Sequence, residues 1–444
     1  YGYGIHISTL EGNLTNNGGI TGSGSSHGYG IGITYLTRNL TNNGGITGSG
    51  SSYCYGIIIN SLTGNLTNKG AIRGSGFGII INSLTGNLTN TGVVYGKTNA
   101  IQIANTDTTK SAYNYGILVT DGSKAVEGLG KKLTSYGLII KNANDGSVTV
   151  EAGDVVTGPI DVIVGYKRTV ENGIAKDTEI KRKLTIKNAE IIDDSASGGL
   201  KPGDITILGG TLTSGTGTKS FEFLSENETE YDNSILNGMD DTLKISGEDV
   251  KREVKGSIIN AYGNAVKFDD ENQKNLTLSG TIVNGGIKKG TVAIQGSDGA
   301  DTLILQSGEI TYKEGETKKI GSQNTIVNGD IDMGDGKNSI TLKTDTIVNG
   351  SITTWKDNDT LIIESGAVSN GNIFMGDGDD TLTIGSGAII NGILNGTKVT
   401  TSASPDSSPT ALDAVVENNT LNFGTADSPS KEETRVFYDI SGFE

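Results

Sequence analysis

The phrase Gly-Asn-Leu-Thr-Asn-Asn-Gly-Gly-Ile at residues 12–20 returns as Asn-Leu-Thr-Asn-Asn-Gly-Gly-Ile at 39–46, and Asn-Leu-Thr-Asn recurs from Asn65 and from Asn87. The offsets are 26, 26 and 22 residues. Upstream of each copy sits an aromatic-Gly-Ile triplet: Tyr3-Gly4-Ile5, Tyr29-Gly30-Ile31, Tyr55-Gly56-Ile57 and Phe77-Gly78-Ile79. Tyr115-Gly116-Ile117 and Tyr136-Gly137-Leu138 read as weaker descendants, which predicts one aromatic column of six. A fixed period of this size means that each repeat is one supersecondary unit, stable only when stacked on its neighbours.

The far end keeps a stricter register. Asn-Gly recurs at Asn328, Asn349, Asn370 and Asn391, each 21 residues after the last, and aliphatic columns keep step with it: Ile340, Leu361, Leu382; Ile326, Ile347, Val368, Ile389; Ile331, Ile352, Ile373, Leu394. Within a repeat, apolar residues alternate over a few positions and are then cut by Gly, Asn, Asp or Ser, with no helical stripe. Two or three short strands per coil is the geometry of a parallel β-helix whose aliphatic side chains queue inside along the axis. The expected fold is therefore all-β: a single right-handed parallel β-helix (solenoid) of roughly 20 rungs with loop insertions, about 95 Å long at ~4.8 Å per rung. Composition agrees. Gly supplies 67 of 444 residues, hydrophobic residues only 34% and aromatics 5%, too little for a bulky layered core yet enough for a narrow aliphatic one. Stacked Asn side chains can hydrogen-bond along the axis at the corners.

Breaks in the repeat divide the chain into four stretches: Gly/Asn/Tyr-rich repeats at 1–164, a β-helix with charged insertions at 165–260, an acidic 21-residue-period β-helix at 261–400, and a loop with terminal rungs at 401–444. The insertions are 165–182, 219–232 and 312–319, and three of the five prolines fall between 401 and 430. The drop from 26 to 22 residues removes part of a Gly-Ser segment, leaving Arg73-Gly74-Ser75-Gly76, and marks a solvent loop. Loops on a rigid scaffold are where binding usually resides.

Charge is uneven. The first hundred residues hold one acid (Glu11) and four bases (Arg38, Lys69, Arg73, Lys97); with a total of −16, the remainder carries −19. An acidic body argues against nucleic acid as a partner, and no apolar run is long enough to span a bilayer as a helix. The single Cys54 excludes a disulfide framework. The chain opens inside a repeat without a starting Met, and reads as a piece of a longer protein.

For chemistry, Met375-Gly376-Asp377-Gly378-Asp379-Asp380-Thr381-Leu382 is similar to the Gly-Gly-x-Gly-x-Asp-x-Leu calcium nonapeptide, although the first Gly is absent and the motif occurs at most once per coil. Asp359, Asp377, Asp379 and Asp380 are the candidate metal ligands, because carboxylates stacked about 5 Å apart on neighbouring rungs would be relieved by a cation. Calcium is the only cofactor the residues suggest; the plainer reading is a Gly-Asp turn entering a strand. His6 and His27 are the only histidines, and no nucleophile elbow or triad is indicated, so no enzyme is expected. Tyrosines with a strict period read as a structural ladder. Tyr35, Tyr53 and Tyr113 lie outside it and are the candidate ligand contacts.

A long, acidic, nearly Cys-free β-helix with Asn-Gly-x-Ile and Gly-Asp-Gly-Asp-Asp-Thr-Leu-Thr-Ile rungs resembles the passenger region of a bacterial type V autotransporter, in particular the large adhesin and vacuolating-toxin-like passengers. The resemblance implies an extracellular rod anchored to the outer membrane by a C-terminal β-barrel lying beyond this stretch, and an adhesin presenting loops to glycan or protein on host or neighbouring cells. A toxin-like oligomerising passenger and a purely structural surface spacer are the alternatives.

Overall fold

The computed structural model describes residues 2–104, 112–128, 133–143, 231–310 and 320–396 in full; outside them only the backbone of the strands named below is described. No helix occurs among the described residues. The chain is an all-β parallel solenoid of about 12 turns, fewer than the roughly 20 reckoned from its length.

The turns are divided between two stacks. In the first, each turn contributes one strand to each of three parallel sheets. Sheet I contains Gly2–Leu10, Gly28–Leu36, Tyr55–Leu62, Phe77–Leu84, Asn99–Thr106 and Val126–Glu127; sheet II begins with Leu14–Asn16 and Leu40–Asn42; sheet III begins with Gly19–Ser23 and Gly45–Ser49. The register is that of the repeat, with Ile5 over Ile31, Leu14 over Leu40 and Ile20 over Ile46. The second stack is built from the strand series Ile258–Ala261, Ile282–Asn284, Ile326–Asn328, Ile347–Asn349 (sheet IV), Val266–Phe268, Ile294–Gln295, Ile331–Asp332, Ile352–Thr353 (sheet V) and Lys274–Ser279, Thr302–Gln306, Ser339–Leu342, Thr360–Ile363 (sheet VI), with further turns at both ends. Ile340, Leu361 and Leu382 lie directly over one another, each wholly buried. This stack passes position 260 without a break in register, Ile235, Ile258 and Ile282 following one another in one column and Leu236, Ile259 and Val283 in the next.

Two hairpins take residues out of the rungs. Asp161–Glu171 and Ile174–Arg182, the first charged insertion, pair as an antiparallel hairpin. Gly308–Glu314 and Thr317–Gln323, which include the 312–319 insertion, form another. Most of 219–232 and most of 401–430 lie outside the described residues.

Asparagine ladders hold the corners. In the first stack Asn16, Asn42, Asn68, Asn90 and Asn114 each pass one amide N–H to the next Oδ1 at 2.8 Å, ending on Ser135 Oγ at 3.0 Å. In the second stack the ladder runs the other way: Asn391, Asn370, Asn349, Asn328, Asn284 and Asn260 each pass one amide N–H to the Oδ1 of the preceding member, ending on Asn237, at 2.8–2.9 Å. The second N–H of this ladder joins the two stacks. Asn237 donates to the Tyr115 carbonyl at 2.8 Å, Asn260 to Thr91 at 2.8 Å, Asn284 to Lys69 at 2.9 Å, Asn328 to Asn43 at 3.1 Å and Asn349 to Asn17 at 3.4 Å. As one partner advances along the sequence the other retreats, so the stacks lie antiparallel, side by side. An amide is the side chain for this task, since it offers two donors and an acceptor at once.

Apolar residues and one cation complete the seam. Val93, Ile117, Val119, Leu138 and Ile140 on the outer side of sheet III cluster with Tyr262, Met239 and Ile287 of the second stack. Arg73 crosses to the Gly286 carbonyl; burial lowers its pKa, while the nearby Asp330 works in the opposite direction. The sequence placed Arg73 at the rim of a solvent loop, but its side chain lies against the second stack.

The Gly of the aromatic-Gly-Ile triplet has a steric cause. A Cβ on Gly56 would stand 2.5 Å from Ile72 Cγ2 and 2.7 Å from the Gly78 carbonyl oxygen of the next rung. Gly56→Ala is expected to lower stability by about 1–3 kcal/mol, read as a lower urea midpoint at unchanged slope. An unchanged midpoint would show that the neighbouring rung yields at no cost.

Candidate functional site

Sheet I turns aromatic side chains outward. Tyr3, Tyr29, Tyr55 and Phe77 stack with ring centroids 4.9, 5.1 and 5.6 Å apart, the ladder expected from the period. The column ends there, because Phe77 is followed on the next rung by Asn99. Tyr115 and Tyr136 form a separate pair at 5.1 Å on a different corner, where Gly116 lies over Gly92 and Ile117 over Val93. Two corners of the coil share the same requirement, a residue without Cβ followed by an aliphatic one. The triplet alone therefore misassigns the column.

The three candidate contacts are not brought together. Tyr35 ends the outward face of Gly28–Leu36 and is 55% exposed. Tyr53 is 59% exposed on the Gly-Ser loop and stacks on the His27 ring at 5.5 Å. Tyr113 is half-buried on sheet II, several turns away, and stacks on Tyr115 at 6.1 Å.

Next to the strand end that carries Tyr35, at the corner between sheets I and II, lies an open groove of about 470 Å³ lined by Glu11, Asn13, Thr37, Arg38, Asn39 and Thr63, with Gly12 and Gly64 in its floor. The rung register produces it. Asn13 and Asn39 turn Oδ1 back to accept the N–H of Asn39 and Asn65 at 3.1 and 2.9 Å, which holds successive turns in line and leaves hydroxyls and amides facing outward. Arg38 occupies a column that is otherwise Gly12, Gly64 and Gly86, and Glu11 one that is otherwise Thr37, Thr63 and Thr85. The groove therefore carries one charge of each sign among neutral hydrogen-bonding groups. Sequence reasoning missed it, although the signal was present: the two charges break the repeat at one corner.

The four candidate metal ligands separate. Asp359 and Asp380 are buried in one column of the second stack, together with Lys274, Asp301 and Asn338. Each side-chain oxygen accepts the backbone N–H of the preceding rung: Lys274 to Asp301 at 3.1 Å, Asp301 to Asn338 at 3.1 Å, Asn338 to Asp359 at 2.7 Å and Asp359 to Asp380 at 2.8 Å. Asp377 is half-buried and Asp379 exposed on the turn outside, where Gly376 and Gly378 take φ of 85° and 146°. Among the described residues no group of three or more His, Cys, Asp or Glu side chains is placed to hold an ion. Burial pushes the Asp359 carboxyl up to about 7; the Asn338 N–H and Thr354 hydroxyl pull it down, while Asp380 and Asp357 push it further up. Burial likewise raises Asp301. The arrangement is that of a structural column in which Asp and Asn are interchangeable as acceptors.

The chain matches no protein-family model, no curated protein and no solved structure. Among the described residues no helix is long and apolar enough to cross a membrane.

Proposed function

We propose that the protein is a surface-exposed, non-catalytic adhesive rod of the autotransporter-passenger type, and that it binds a glycan on a host or neighbouring cell through the groove at residues 11–13, 37–39 and 63–64. The observation that carries this reading is the groove itself, a break in an otherwise repeated corner. It brings Arg38, Glu11, two Asn amides and two Thr hydroxyls together, and the exposed Tyr35 lies two residues before its Thr37 in the sequence. Fixed hydrogen-bonding groups next to an aromatic face suit a sugar, whose hydroxyls need partners and whose C–H faces stack on rings. No cofactor is needed for such binding. The rigid solenoid supplies the spacer, and outer-membrane anchoring by a β-barrel beyond residue 444 belongs to the same proposal.

The test is a glycan array probed with the intact chain, followed by Tyr35→Ala and Arg38→Gly. Each substitution restores a small side chain at an exposed corner, so folding is expected to be unchanged. Binding to the leading glycan is expected to fall about tenfold or more, equivalent to ~1.4 kcal/mol. Absence of any glycan binding, or variants that bind as the parent does, would leave the structural spacer as the better reading.

A further inference from the structure

The groove at residues 11–13, 37–39 and 63–64 is uneven in what it offers a ligand. Asn13 and Asn39 use Oδ1 for the rung register, accepting the N–H of Asn39 and Asn65 at 3.1 and 2.9 Å. Their amide NH2 groups have no acceptor among the described residues. Thr37 donates its hydroxyl to the Leu10 carbonyl at 3.3 Å, which leaves its lone pairs to face a ligand. Arg38 makes no ion pair and no hydrogen bond among the described residues, and a guanidinium carries five donors and no acceptor. Two amides and a guanidinium thus meet at one corner, all with N–H groups still to place. The group that satisfies them together is an anion with several acceptor lone pairs.

Glu11 does not cancel this preference. Leu10 lies opposite Leu36 and Leu14 opposite Leu40, so Glu11 stands opposite Thr37 and Arg38 opposite Gly12. Offset in this way, the two charges form no ion pair. Glu11 is also the single acid among the first hundred residues, against four bases. The first stack therefore admits one negative group beside Arg38, and Glu11 repels a second one placed next to it.

We propose that the ligand of this groove is an acidic glycan with an isolated carboxylate, of the sialic or hexuronic acid kind. This rests on the glycan reading above and narrows it to one class of sugar. Arg38 takes the carboxylate through the two-pronged contact that its planar guanidinium favours, and the Asn13 and Asn39 amides donate to the same group or to oxygens beside it. Glu11 accepts from a neighbouring sugar hydroxyl or acetamido N–H. A densely sulfated chain, which brings further anions close to the first, is disfavoured.

The experiment titrates the intact chain with sialyllactose and with a hyaluronan tetrasaccharide, with the carboxyl-reduced form of each, and with heparin. At least one carboxylated probe is expected to bind about tenfold more tightly than its reduced form and more tightly than heparin, with an affinity that falls as salt rises. Arg38→Gly, which restores the residue found in this column at Gly12, Gly64 and Gly86, is expected to abolish the preference for the carboxylate. Arg38→Lys keeps the charge without the fork and is expected to retain only part of it; this variant replaces Arg38→Gly should the latter melt at a lower temperature than the parent. Glu11→Gln is expected to raise heparin binding about threefold or more. Acidic and reduced probes that bind equally would overturn the inference and leave the glycan reading standing. So would a parent chain that prefers heparin, one that binds neutral glycans alone, or an Arg38→Gly variant that keeps the preference. Absence of binding to any glycan removes both readings.

Discussion

Asn260→Ala is expected to destabilise the molecule by about 3–5 kcal/mol, a large loss for one side chain. That side chain is fully buried and makes three hydrogen bonds at once. It donates to the Thr91 carbonyl of the first stack at 2.8 Å and to Asn237 Oδ1 at 2.9 Å, and it accepts from Asn284 at 2.8 Å. Truncation leaves two acceptors and a donor buried without partners, and each costs about 1–3 kcal/mol in a site that water cannot reach. Asn391→Ala, at the exposed end of the same ladder, loses one hydrogen bond to Asn370 in contact with water and should cost under ~1 kcal/mol. Urea denaturation of both variants reads the contrast. Equal losses at the two positions would mean that the seam between the stacks contributes nothing.

The second large effect is a dependence on pH. Asp359 titrates at about 7 in the folded chain against an ordinary 3.8, so the folded state binds a proton that the unfolded state releases. Its contribution to stability is fully present below about pH 4 and is lost as pH rises through 7. Between pH 8 and pH 4.5 the gain is expected to be about 3 kcal/mol, somewhat below the full ~1.4 kcal/mol per pKa unit because the neighbouring rungs relax. Asp301, raised by burial, acts in the same direction. Asp270 has the opposite sign. Burial raises it, but its hydrogen bonds from Lys274, Gly247 and Asn272 prevail and hold it at about 2, so stability falls again below pH 4. Asp359→Asn keeps the Oδ1 that accepts the Asn338 N–H, as Asn338 itself does for Asp301. It should flatten the curve and raise stability at pH 8 by about 2–3 kcal/mol. Melting temperatures across this range decide it: a parent that is no more stable at pH 4.5 than at pH 8 removes the buried-carboxylate account.

The coil, its strands and its inward columns were legible in the sequence because a turn contacts the turns before and after it, and that relation is periodic. Ile340, Leu361 and Leu382 show this directly. The folding of the stack back on itself was not legible. Asn260 reaches Thr91 across 169 residues and Asn328 reaches Asn43 across 285, and no period links such pairs; an Asn in a corner column looks the same whether its second N–H meets water or another stack. The backbone-acceptor role of the carboxylate column was not legible for a related reason: Oδ1 of Asp359 accepts the Asn338 N–H of the neighbouring rung, a task that leaves no mark in the sequence until the rungs are in place. The groove was visible in principle, since Arg38 and Glu11 break their columns, but periodic reasoning attends to what recurs.

The antiparallel seam also determines how the molecule yields to tension. The first turn and the turns around Asn349 lie at one end of the paired stacks, so a pull between residue 2 and residue 396 acts at that end alone. The load falls first on the Asn349 to Asn17 contact, at 3.4 Å the longest of the series, then on Asn328 to Asn43, and so along the row. The stacks would peel apart one bond at a time at low force, each coil staying intact, instead of resisting as a row of bonds sheared together.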